Sequence, residues 1–87
     1  MFKKTLDGFT FVAPSRRYQK KYDVFDSNNK YITSFGDNSY MQYYDRIGYY
    51  SGFDHLDPKR RNAYRQRHKN DNLTEPSAGY FSYYYLW

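Results

Sequence analysis

The sequence predicts a small single domain of the α+β class, and three observations carry that reading. Apolar and polar residues alternate with a period of two around residues 21–35. An Asp57-Pro58 pair opens a strongly basic, helix-compatible segment. The chain has 87 residues, enough for one domain and not two. The expected architecture is an N-terminal extended arm, a β-hairpin and two or three short helices.

Residues 1–20 mix Gly8, Pro14, Ser15 and a basic cluster (Arg16, Arg17, Lys20, Lys21 at its end) with a short apolar run, Phe9-Thr10-Phe11-Val12. This composition reads as an extended basic arm that orders against a partner, leaving residues 21–87 as the domain. From Lys21 onward, Tyr22, Val24, Tyr31, Thr33 and Phe35 fall at alternate positions on either side of Asp26-Ser27-Asn28-Asn29. Those four residues tolerate turn geometry, so a hairpin over residues 21–35 is predicted. Gly36 then permits a change of direction.

Asp37, Asn38 and Ser39 offer N-caps for a short helix through Tyr40, Met41, Tyr43, Tyr44 and Ile47, closed by Gly48. A loop follows at residues 49–53. Asp57 as N-cap and Pro58 at the first helical position predict a second helix to about residue 69. Leu56, Ala63 and Tyr64 make its narrow apolar stripe. After a polar loop at residues 70–76, Ser77-Ala78-Gly79 leads into Tyr80-Phe81-Ser82-Tyr83-Tyr84-Tyr85-Leu86-Trp87. Periodicity leaves helix and strand both open for that segment.

Aromatic residues make up 24% of the chain, with 13 Tyr and 7 Phe, so rings supply most of the apolar surface. A phenol ring packs, but its hydroxyl needs a partner or water. So many tyrosines exceed what a core this small can enclose with each hydroxyl satisfied. The remainder are expected at the surface, where tyrosine is enriched at interfaces. The net charge of +5 favours acidic partners.

The absence of cysteine excludes disulfides and thiolate metal sites. With only His55 and His68 as soft ligands, no metal and no cofactor is expected. No nucleophile-base pattern or phosphate loop occurs, and so short a chain is poorly suited to enclosing a small-molecule substrate; a non-enzyme is expected. Asp54, His55 and Asp57 are read as holding the loop before the basic helix. No apolar run approaches a membrane span, and the start, Met1-Phe2-Lys3-Lys4, lacks a signal-peptide core. A reducing, soluble compartment is expected.

Charge is densest at residues 57–69, where Lys59, Arg60, Arg61, Arg65, Arg67 and Lys69 follow Asp57 with no further acid. Mutual repulsion makes that arrangement costly unless an anionic or acidic partner offsets it, and arginine pairs bidentately with carboxylate and phosphate. Arg60, Arg61, Arg65 and Arg67 with Tyr64 are therefore expected as one partner-binding patch. Tyr84, Tyr85 and Trp87 are expected as a second; the competing reading is a segment docked into the chain's own core. Interleaved cations and rings also suit nucleic acid, although no recognised nucleic-acid motif is present.

Lys21-Tyr22-Asp23-Val24, Ser34-Phe35-Gly36-Asp37, Tyr43-Tyr44-Asp45-Arg46-Ile47-Gly48, Asp54-His55-Leu56-Asp57-Pro58-Lys59-Arg60-Arg61, Tyr64-Arg65-Gln66-Arg67-His68, Ser77-Ala78-Gly79-Tyr80-Phe81-Ser82 and Tyr85-Leu86-Trp87 follow one another in order. Together they resemble a domain-of-unknown-function family of short, basic, tyrosine-rich proteins of nucleocytoplasmic large DNA viruses and related viruses. The resemblance spans residues 21–87. It implies a viral setting: a minor capsid protein of the virion, assembled in the host cytoplasm. Its expected partners are the major capsid protein and other minor capsid proteins, with viral nucleic acid as the alternative.

Overall fold

In the computed structural model, which describes residues 1–71, 73, 74 and 76–87, the first thirteen residues enter the sheet. Strands β1 (Phe2–Leu6) and β2 (Phe9–Ala13) pair antiparallel, from Phe2 opposite Ala13 to Leu6 opposite Phe9. Asp7 (φ 56°) and Gly8 (φ 84°) form the turn between them. Positive φ at both positions is the hairpin geometry that an Asp-Gly pair favours. Along β2, Phe11 and Ala13 are fully buried and Phe9 packs beside them. The expected arm is thus half of the sheet, and the boundary expected after residue 20 runs through a continuous core.

The alternation around residue 21 gives β3 (Lys20–Phe25) and β4 (Tyr31–Asp37), and the complete sheet has the order β1-β2-β3-β4. Asp26 makes the turn between β3 and β4: its Oδ1 accepts from Asn28 N and Lys30 N, both at 2.9 Å. The basic residues before β3 are tied down by Asp23, whose carboxylate accepts from Ser15 Oγ (2.5 Å), Arg16 N (3.0 Å) and Ser34 Oγ (2.6 Å). Burial raises the Asp23 pKa, but these donors outweigh it and hold the group below its ordinary value.

Residues 38–57 are irregular apart from a short 3-10 helix at Ser51–Phe53, and the helix expected through Tyr40–Ile47 is absent. Its amides bond to distant acceptors instead of to the preceding turn. Gln42 N donates to Phe53 O (3.1 Å), Tyr43 N and Tyr44 N to Leu86 O (3.1 and 3.0 Å), and Arg46 N to Tyr85 O (3.0 Å). Asp45, 3% exposed, accepts from Tyr22 Oη (2.5 Å), Ile47 N and Tyr50 N (both 2.9 Å). Tertiary bonds therefore replace local ones.

Helix α1 (Pro58–His68) starts where the sequence predicts, with Asp57 Oδ1 accepting from Lys59 N at 2.9 Å. None of its residues is fully buried. Helix α2 (Ala78–Tyr85) settles the aromatic segment as helical; Ser77 Oγ caps it by accepting from Tyr80 N (3.2 Å). Its Phe81 and Tyr85, one turn apart, enter the core across β4. There Phe11 meets Tyr22, Phe35, Phe81 and Tyr85 at centroid separations of 5.0–6.3 Å. Val24, Ile47 and Leu86 complete the core.

Candidate functional site

Helix α1 carries its cations in two sets that do different things. Arg61 and Arg65, one turn apart, turn toward the end of α2. The Trp87 carbonyl oxygen accepts from Arg61 Nε (2.8 Å) and from Arg65 Nε and Nη2 (3.2 and 3.0 Å). Each guanidinium also covers a ring: Arg61 lies 4.9 Å from the Tyr43 centroid and Arg65 4.7 Å from that of Tyr83. Arg61 Nε and Arg65 Nε and Nη2 are thus engaged within the molecule. These two members of the expected contact patch are corrected to docking residues for α1.

Tyr64 and Trp87 reinforce that docking. Their rings stack at 4.3 Å with planes 5° apart. His68 lies 4.3 Å beyond Tyr64, and His55 lies 5.2 Å from Trp87. The outcome is a column of rings, His55–Trp87–Tyr64–His68, joining α1 to the chain beyond α2. Trp87 is therefore packed, half-buried, against its own chain. Tyr85 is a second correction: it is 3% exposed, and its hydroxyl donates to Asp7 Oδ2 at 2.8 Å. Burial and that bond raise its pKa. It cannot meet a partner. Tyr84, by contrast, is exposed.

Arg60 and Arg67 point elsewhere. Seven positions apart, they share a face of α1 and stand about 10 Å apart along its axis. They line a groove of about 420 Å³ whose far wall is Lys20 and Asp37, with Tyr40 and Met41 at its rim and Trp87 at its end. Among the described residues, Lys20, Arg60 and Arg67 have no salt-bridge partner. Tyr40 is 69% exposed, and Tyr18, Tyr31, Tyr44 and Tyr49 are exposed as well.

Beneath the groove lies Lys21, 1% exposed, which reading the sequence as a basic arm misses. Its Nζ donates to Tyr40 O (2.7 Å) and to Gln42 Oε1, and sits 5.2 Å from the Phe53 ring centroid. Gln42 Nε2 in turn donates to Tyr50 O (2.9 Å) and Asp54 Oδ1 (2.5 Å). Burial lowers the Lys21 pKa to about 8, against the opposing pull of Asp45, Asp37 and Asp54. Gly36 makes this approach possible: a Cβ there would stand 3.2 Å from the Lys21 stem and 3.1 Å from Leu86.

Asp54, His55 and Asp57 hold the loop ahead of α1. Asp54 Oδ1 also accepts from Asp45 N (2.8 Å), and His55 Nδ1 accepts from Asp57 N (3.0 Å). Burial, and then the nearby Arg60, lower the His55 pKa. Its Nδ1 being an acceptor, the ring proton resides on Nε2, a buried atom with no hydrogen-bond partner among the described residues. Among the described residues no cluster of His, Asp and Glu could hold a metal ion, and no helix is long and apolar enough to cross a membrane. No family model, no curated protein and no solved structure matches the chain.

Proposed function

We propose that this protein is a non-catalytic structural component that binds neighbouring proteins. Its setting is the shell of a large icosahedral DNA virus, where it serves as a minor capsid protein cementing capsomers. The observation supporting an interaction role is the groove beside α1, where Lys20, Arg60 and Arg67 have no salt-bridge partner among the described residues and lie next to exposed Tyr40. Unpaired arginine beside tyrosine is the composition of interface hot spots. The viral setting rests on the resemblance of residues 21–87.

A nucleic-acid-binding role is less well supported. Bases stack on free ring faces. Here most rings near the α1 cations are occupied, Tyr64 by Trp87 and His68, Tyr43 by Arg61, and Tyr83 by Arg65, which leaves Tyr40 as the exposed ring at the groove.

Cross-linking mass spectrometry on purified particles tests the reading. Links from Lys20 and Lys59 to shell proteins are expected. Absence from particles, or retention with the nucleoprotein core together with steeply salt-dependent binding to duplex DNA, contradicts it.

A further inference from the structure

The geometry points to the groove between α1 and the β3–β4 end as a site for an extended acidic peptide segment with two carboxylates three residues apart, supplied by a neighbouring protein. This rests on the interaction role proposed above and specifies its ligand.

Spacing carries the argument. Arg60 and Arg67 stand about 10 Å apart on one wall. An extended segment in the polyproline II conformation has three residues per turn and advances about 3.1 Å per residue, so carboxylates at positions i and i+3 share one side and reach both guanidinium groups at once. Adjacent carboxylates on such a segment point about a third of a turn apart and lie only about 3 Å apart along it, so they reach only one. Lys20 on the opposite wall adds a third cation, and Tyr40 and Met41 at the rim offer apolar contact to the residues between.

Asp37 decides between ligand classes. Its carboxylate lies in the same groove, with Oδ1 accepting from Ser39 N at 2.8 Å. A fixed negative charge repels a continuous phosphodiester backbone. A peptide, with amide donors between its acids, has groups to offer it. The stacked column closes off base stacking at the groove's end. The amide donors of a polypeptide give Asp37 a partner that a phosphodiester backbone lacks, and this favours the peptide.

Trp87 is the chain's single tryptophan and lines the groove, so its fluorescence reports occupancy. Short fluorescein-labelled Gly/Ser peptides carrying Glu-x-x-Glu or adjacent Glu-Glu, and a single-stranded DNA oligomer, are titrated against the full chain at low salt. Glu-x-x-Glu is expected to bind roughly fivefold more tightly than Glu-Glu, the difference of one charge-assisted contact. Arg60→Ala, Arg67→Ala and, from the other wall, Lys20→Ala each weaken it with unchanged circular dichroism. Equal affinity for both spacings overturns the proposal, as does displacement of the peptide by the oligomer at equal charge. Shell cross-links that avoid the groove would overturn the peptide site while leaving the structural role standing.

Discussion

Asp45 holds the irregular segment before α1 through its own side chain. It accepts from the Tyr22 hydroxyl and from the amides of Ile47 and Tyr50, all at or below 2.9 Å. Burial raises the Tyr22 pKa first, and the bond to Asp45 raises it further. Asp45→Ala strands these donors, and each costs about 1–3 kcal/mol when left unpaired and buried. A loss of at least ~3 kcal/mol in urea unfolding is expected, a large share of the stability of so small a domain.

Lys21 makes a prediction with a definite sign. Its pKa is about 8 in the folded chain and 10.5 when unfolded. Between those values the unfolded chain holds a proton that the folded chain has released, so stability rises with pH across that window. The gain is on the order of 2 kcal/mol. It is curtailed from about pH 10, where Tyr22 and Tyr85, their pKa values raised by burial, stay neutral while unfolded phenols ionise. Lys21→Met is expected to be less stable at neutral pH, because Tyr40 O and Gln42 lose their donor, and to show no rise from pH 8 to 10. Denaturant titrations at a series of pH values measure both.

At the scale of elements, α1 stands out because nothing on it is fully buried. A helix of this length is marginal alone, and its cations repel. Its position depends on Arg61 and Arg65 at the Trp87 carbonyl and on the Tyr64–Trp87 stack. Arg61→Ala/Arg65→Ala is expected to release it: α1 amides lose hydrogen-exchange protection, and Trp87 emission shifts toward that of water-exposed indole. The sheet keeps its protection. The pair Arg60→Ala/Arg67→Ala leaves both signals unchanged.

Elements governed by short-range chemistry were legible in the sequence. The Asp26–Asn29 turn and the Asp57-Pro58 start appear as read, because their bonds close within a few residues. The β1–β2 hairpin had a signal too, Asp7-Gly8 ahead of alternating Phe9, Phe11 and Ala13, but the basic cluster after it suggested an arm. The segment through Tyr40–Ile47 carried helix caps, yet Leu86 O and Tyr85 O claim its amides from across the chain. The split within α1 was equally hidden. Arg60 and Arg61 are chemically equivalent neighbours until Trp87 fixes which one faces inward.

At the scale of the whole molecule, one aromatic core joins all four strands to α2, with Phe11 of β2 touching rings from β3, β4 and α2. Removing residues 1–20 takes away Phe11 and half the sheet. A chain of residues 21–87 is therefore expected to be unfolded by near-ultraviolet circular dichroism and by amide dispersion in NMR. Phe11→Ala in the full chain costs roughly 3–5 kcal/mol, most of a small domain's stability. The rings and cations divide between two tasks: Tyr22, Tyr85, Arg61 and Arg65 hold the fold, while Arg60, Arg67, Lys20 and Tyr40 face outward.

That division is tested most directly by incorporation into particles of the charge-reversal variant Arg60→Glu/Arg67→Glu, whose substitutions lie outside the core and leave the α1 docking bonds in place. The variant is expected to fold and to be at least ~10-fold depleted from purified particles, since an acidic partner then meets like charge. Undiminished incorporation of the folded variant would contradict it.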